Sequence, residues 1–164
     1  MCGISGIVSN KDVGKIEYFK RFNLILKHRG PDDEGIWISK NRNVGLCHTR
    51  LAIQDLSQNG RQPMVSNSKN FIITFNGEIY NHLSLRNLLP DKKWISQSDT
   101  ETLLEMIDYY GVEKTLVQLK GMFAFCVYDV KKKELHLCRD RFGEKPLYFG
   151  FYDNNFIFTS ELKV

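Results

Sequence analysis

The chain has 164 residues, 42% of them hydrophobic and 26% charged, with a formal net charge of +4. That is the make-up of one ordinary globular domain, and it excludes a disordered chain, which needs few apolar residues and a high net charge. Its apolar runs fall far short of the ~20 residues that cross a bilayer, and Met1-Cys2-Gly3-Ile4-Ser5-Gly6-Ile7-Val8 lacks the basic flank and long apolar stretch of a secretory signal. The positive charge is scattered. Lys131-Lys132-Lys133 is the only basic run of three, and it lies between two apolar strands as a hairpin tip does, so neither nucleic acid nor membrane is an expected partner.

In chain order, Gly3–Ser9 reads as a strand of small residues suited to close packing. Residues 13–27 place Ile16, Phe19, Leu24 and Ile25, with Tyr18 and Phe22, at mostly helical spacing. The helix is broken by His28-Arg29-Gly30-Pro31-Asp32. Strands are expected at 35–39 and 44–53, then a polar loop over 55–63, then a short β-rich run at 71–75 stopped by Asn76-Gly77. Residues 81–89 read as a helix ending at Pro90. A second helix is expected over 98–110, with Ser98 as cap, Glu101 in the capping-box position and Leu103, Leu104 and Ile107 as the buried stripe. A shorter helix over 112–119 follows Gly111. Strands then follow at 123–130, Glu134–Arg139, 147–152 and 156–160. Without repeats, low-complexity tracts or a linker, the chain reads as a single domain spanning 1–164. Its last residues, Glu161-Leu162-Lys163-Val164, carry no terminating signal and suggest a longer parent protein.

The four cysteines form no Cys-x-x-Cys pair, and the four histidines add no ligand spacing, so no metal site is expected. Cys47 and His48, adjacent on a strand, point to opposite faces. Without a signal the compartment reads as cytoplasmic and the thiols as reduced, with Cys47, Cys126 and Cys138 as small core residues. Cys2 differs because it directly follows the initiator methionine. Removal of Met1 gives Cys2 a free α-amine, and a thiol of pKa ~8.5 beside an amine of pKa ~7.7–8.0 transfers its proton for about 1 kcal/mol. One residue then supplies nucleophile and base; the plainer reading is a small residue that starts a strand. Asn76-Gly77 fits either a plain turn or an oxyanion hole made of a side-chain amide and the next backbone N–H. Arg50, in an apolar run, needs a carboxylate if buried, either internal or from a substrate. Asp99 stabilises a helix N-terminus whether or not it does more.

Taken together, Met1-Cys2-Gly3-Ile4-Ser5-Gly6, His28-Arg29-Gly30-Pro31-Asp32, His48-Thr49-Arg50-Leu51-Ala52-Ile53, Phe75-Asn76-Gly77-Glu78-Ile79-Tyr80-Asn81, Ser98-Asp99-Thr100-Glu101 and Arg139-Asp140-Arg141-Phe142-Gly143-Glu144-Lys145-Pro146-Leu147-Tyr148 occur in this order. The set resembles the N-terminal class II glutamine amidotransferase (glutaminase) domain of glutamine-hydrolysing asparagine synthetases, over essentially the whole chain. The resemblance implies an α+β fold, the αββα four-layer sandwich of N-terminal nucleophile (Ntn) hydrolases with mainly antiparallel sheets. It implies Cys2 as nucleophile, and Asn76 and the Gly77 N–H as oxyanion hole. It further implies Arg50 on the glutamine α-carboxylate, Asp99 with Glu78 beside it at the α-ammonium, and backbone contacts from Leu51 and Ile53. The implied reaction is hydrolysis of glutamine to glutamate and ammonia through a Cys2 thioester, with no cofactor or metal in this domain. ATP and Mg belong to a C-terminal synthetase domain, the implied partner that receives the ammonia; its Ser-Gly-Gly-Leu-Asp-Ser loop does not occur here. The alternative is a glutamine-binding or regulatory domain with little turnover.

Overall fold

Apolar residues alternate between strand faces, and this alternation sets the layers. It is seen directly in the computed structural model, which describes residues 1–164. The elements are β1 (Gly3–Ser9), α1 (Ile16–Leu26), β2 (Asp33–Ile38), β3 (Val44–Arg50), a 3₁₀ turn (Gln58–Gly60), β4 (Met64–Val65) and β5 (Phe71–Ile79). There follow α2 (His82–Arg86), α3 (Asp99–Tyr110), α4 (Val112–Leu116), β6 (Gly121–Asp129), β7 (Glu134–Arg139), β8 (Tyr148–Tyr152) and β9 (Asn155–Thr159). All pairings are antiparallel, in a five-stranded sheet ordered β2-β3-β1-β9-β8 and a four-stranded sheet ordered β4-β5-β6-β7.

Every residue of β3 is buried, because both of its faces are covered. Val44 and Leu46 meet Ile72, Cys126, Tyr128 and Phe158 between the two sheets. On the other face Cys47 packs with Val13 and with Phe19 of α1. The second sheet has the same logic: Ile72 faces its partner sheet, while Ile73, Phe75, Phe125 and Val127 pack on Leu103, Leu104, Met106 and Ile107 of α3. A fully buried side chain of this size contributes about 1.5–3 kcal/mol, so the apolar alternation dictates the order helix, sheet, sheet, helix. The expected αββα sandwich is present. Cys47 and His48 diverge as alternation requires, the thiol toward the Phe19 carbonyl of α1 and His48 Nε2 toward the Phe75 carbonyl of β5.

Several boundaries differ from the sequence reading, two of them beside the site, and so does one cap. Asn76-Gly77 does not end β5: pairing with β6 runs unbroken from Phe71 opposite Asp129 to Ile79 opposite Gly121, and this continuous ladder overrides the local turn preference. Gly77 is needed there for closeness, since a Cβ would lie 2.3 Å from the Met122 carbonyl oxygen. β3 ends at Arg50 instead of 53, and the freed segment turns toward the cleft described below. The capping box of α3 is half formed. Ser98 accepts from the Glu101 N–H at 3.2 Å, but the Glu101 carboxylate takes the Ile95 and Ser96 N–H groups. The lysine run is a hairpin tip, its Lys131 and Lys132 N–H groups donating to the Asp129 carboxylate.

Candidate active site

The open ends of β1, β3 and β5 meet the start of α3 around a cleft of about 270 Å³. All eight residues singled out from sequence line it: Cys2, Arg50, Leu51, Ile53, Asn76, Gly77, Glu78 and Asp99.

Cys2 is partly buried at the mouth of β1, and it is the only cysteine that is not fully enclosed. Its Sγ accepts from the Leu51 N–H at 3.4 Å and faces the Leu51 carbonyl at 3.7 Å. Burial pushes the thiol above its ordinary value, against the pull of the Leu51 N–H, the Met1 ammonium and Arg50. With Met1 attached, Cys2 is therefore a neutral thiol at physiological pH. Its carbonyl is pinned by Arg29 Nε at 2.9 Å, and Arg29 is held in turn by Glu161 at 3.0 Å. The His28-Arg29 and Ser160-Glu161 motifs, far apart in sequence, thus serve one purpose in the fold: they fix the backbone of the nucleophile. Burial pushes the other three thiols up as well, Cys138 to about 12.

The oxyanion-hole geometry comes from a free sheet edge. Along β5, N–H groups of alternate residues point to the same edge. The Phe75 N–H donates to Gln62 Oε1 at 2.6 Å and the Ile79 N–H to Asp99 Oδ2 at 2.8 Å. The Gly77 N–H lies between them on that edge, where the cleft opens. Asn76 is 1% exposed and its Nδ2 has no hydrogen-bond partner, although buried donors are nearly always paired. An orphan amide N–H beside a free backbone N–H is a site for one oxygen that gains negative charge.

Two opposite charges also line the cleft. Arg50 is 7% exposed and donates to two backbone carbonyls, those of Ser57 (2.8 Å) and Asp55. No carboxylate lies within 4.0 Å of it, so the internal acidic partner that the sequence left open does not exist. Gly60 permits this arrangement, because a Cβ there would come within 2.3 Å of the guanidinium. Asp99 sits at the start of α3, 6% exposed. Burial raises its carboxyl from 3.8 to about 6, against hydrogen bonds from Ile79 and Thr100, with exposed Glu78 adding to the rise. A buried cation without an anion and a buried carboxylate without a cation suit the carboxylate and ammonium of one amino acid.

Among the ten other lining residues, which were not singled out as site residues from sequence, are Asp55, Gly60, Gln62 and Lys145. Asp55, Gly60 and Gln62 fall in a stretch that reads only as a polar loop. Lys145 belongs to a quoted motif, but nothing in its residue type points into a cleft. No histidine lines the cleft, and burial drives His48 down to about 4, so it is neutral at working pH. No group of three His, Cys, Asp or Glu residues is placed to hold a metal ion.

A four-layer αββα sandwich with a cysteine at the mouth of its first strand is the architecture of the Ntn hydrolases. Among solved structures, glutamine phosphoribosylpyrophosphate amidotransferase from B. subtilis, complexed with ADP and GMP, superposes with a TM-score of 0.81, covering 98% of this chain and 42% of that one at 22% identity. The sequence model of the glutamine amidotransferase domain matches residues 1–164, and the chain belongs to that family. A Methanocaldococcus jannaschii protein assigned by name to the glutamine-hydrolysing asparagine synthetases is 43% identical, over 99% of this chain and 34% of its own length. The glutamine-hydrolysing asparagine synthetase 1 of Bacillus subtilis is 37% identical, and amidase chry2 of Gibberella zeae 34%, each over 99% of this chain and 26% of its own length. The chain thus spans a quarter to a third of these relatives. No helix is long and apolar enough to cross a membrane.

Proposed function

We propose that the domain hydrolyses glutamine to glutamate and ammonia through a thioester on Cys2, once Met1 has been removed. The observation that carries this reading is the meeting, in one cleft, of the Cys2 thiol, the unpaired Asn76 Nδ2 and an Arg50–Asp99 pair of unneutralised charges. Arg50 takes the α-carboxylate of glutamine and Asp99, helped by Glu78, the α-ammonium. Leu51 and Ile53 border the bound molecule, and its carboxamide reaches toward Cys2.

The Cys2 α-amine accepts the thiol proton, and Sγ adds to the carboxamide carbon. The oxygen takes the electron pair as an oxyanion between Asn76 Nδ2 and the Gly77 N–H, an arrangement worth about 3–4 kcal/mol per donor in comparable sites. The protonated amine gives its proton to the amide nitrogen, the C–N bond breaks, and ammonia leaves a Cys2 thioester. Water, deprotonated by the same amine, adds to the thioester carbon; the C–S bond breaks and glutamate departs. Each step is a proton transfer or an addition that the cleft's own groups serve, so the domain has no need of cofactor or metal. In a protein of the relatives' length the ammonia would pass to a synthetase domain that amidates aspartate or a related carboxylate, with ATP and Mg there as the resemblance implies. Four unpaired thiols support a cytoplasmic setting.

One observation favours a second reading, binding without turnover: with Met1 in place the amine of Cys2 is an amide and the thiol is held neutral. Ammonia release from glutamine, without ATP, by chains with and without Met1 separates the two. Release by the processed chain supports hydrolysis. Glutamine binding without release supports a glutamine-sensing role.

A further inference from the structure

The loop that follows β7 delivers a lysine to the cleft with unusual rigidity. The Asp140 carboxylate collects the N–H groups of Phe123, Phe142, Glu144 and Lys145 at 3.0–3.2 Å. Arg139 donates to the carbonyls of Gly143 and Lys145 at 2.5 and 2.6 Å. The chain reverses at Gly143, whose φ of +66° favours glycine. Lys145 is thereby fixed through both its N–H and its carbonyl. Its side chain lines the cleft, and the residue is 7% exposed. No carboxylate lies within 4.0 Å of Nζ; its hydrogen-bond partner is Met1 Sδ at 3.4 Å, a weak acceptor. A buried cation without a counter-ion costs stability, and packing alone would be served better by methionine or leucine. What the ammonium touches is the residue whose removal creates the base.

We propose that Lys145 is a positioning residue that acts through the Cys2 amine: its ammonium disfavours protonation of that amine and favours the thiolate, so that Cys2 is active near neutral pH. The inference rests on the glutaminase reading for its catalytic consequence. The other charges around Cys2 leave room for this effect. Arg29, on the Cys2 carbonyl, is matched by Glu161; Asp99 is negative and acts in the opposite sense; Asp55 is engaged by the Ser57 and Gln97 N–H groups; Arg50 acts in the same sense on the thiol until a substrate carboxylate takes it up. Lys145 and Arg50 are the two cations that line the cleft, and Lys145 is the one in contact with Met1.

The test uses the chain with Met1 removed, as wild type, Lys145→Met and Lys145→Arg. Two pH profiles are measured, the rate of Cys2 alkylation by iodoacetamide and kcat/KM for ammonia release from glutamine. In Lys145→Met both acid limbs move up by about half a unit to one unit, so the loss at about pH 6.5 exceeds the loss at about pH 9 by roughly 3–10-fold. Lys145→Arg keeps the wild-type limbs, and the melting temperature of Lys145→Met is equal to or above wild type. Limbs that stay in place, a loss uniform across pH, or a Met variant that fails to fold where Lys145→Gln also does would each overturn the proposal. Alkylation profiles report on the lysine even if wild type releases no ammonia, an outcome that would instead sink the glutaminase reading.

Discussion

Replacing Asp99 by asparagine tests the charge division of the cleft without relying on turnover. The carboxyl of Asp99 is raised from 3.8 to about 6, chiefly because the folded chain buries it at the start of α3. Between those values the native state binds a proton that the unfolded state has already lost, so this group's contribution to stability falls as pH rises through the window. At 1.36 kcal/mol per unit, the ionised Asp99 costs the fold about 2–3 kcal/mol above pH ~6. Asparagine removes that cost while its side-chain oxygen still accepts from the Ile79 N–H. Urea unfolding of wild type and Asp99→Asn from pH ~4 to ~8 isolates the term, because every other titrating group cancels in the difference. The two should be equally stable near pH ~4, with the variant ahead by about 2–3 kcal/mol near pH ~7.5. The same variant should lose most of its affinity for glutamine, because the α-ammonium is left without its anion. A stability difference that stays flat with pH, or an Asp99→Asn chain less stable than wild type at high pH, would refute the account of Asp99 as an unneutralised buried carboxylate.

Cys2 is the only thiol that is not fully buried, so a glutamine-like electrophile should label it before Cys47, Cys126 or Cys138 by mass spectrometry, and Cys2→Ala should abolish ammonia release with the fold intact. A chain that retains Met1 should show ammonia release reduced by at least about 100-fold, since an amide cannot act as general base; intact mass gives the processing state. Arg50→Lys should weaken glutamine binding by about 1–3 kcal/mol, roughly 5–150-fold in Kd by calorimetry, because lysine keeps the charge but not the planar fork. Unchanged affinity would mean that the α-carboxylate is held elsewhere.

Most helices and strands were legible because they rest on periodicity, which a single chain displays, while the four-layer arrangement came with the family resemblance. The presence of β3 and the α3 stripe of Leu103, Leu104 and Ile107 follow from that periodicity directly. The site residues were legible by a different route, the ordered motifs, since Arg50, Asn76 and Asp99 taken singly fit ordinary structural roles. What the sequence hid was long-range. Asn76-Gly77 has the local signature of a turn, and only nine paired positions on β6 make it strand. The partner of Arg50 could not be read, because its acceptors are main-chain oxygens of a loop whose residue types say nothing about them. Gln62 escaped notice for the same reason: its amide caps the Phe75 N–H across the sheet edge, a contact set by topology and not by pattern.

The cleft concentrates groups that a fold ordinarily pairs off. Arg50 lacks a carboxylate, Asp99 lacks a cation, Asn76 Nδ2 lacks an acceptor and Lys145 lacks a counter-ion. Arg29 on Glu161 shows that the same chain can give a buried guanidinium a carboxylate when nothing else is required of it. Gathered in one cleft, the unmatched charges and the orphan Asn76 amide suit a second molecule that completes the electrostatics. Cation, anion, amide donors and thiol, lining one cleft, match the charges and the reactive group of an amino acid with a side-chain carboxamide. Pairing them internally would stabilise the domain and leave it nothing to recognise.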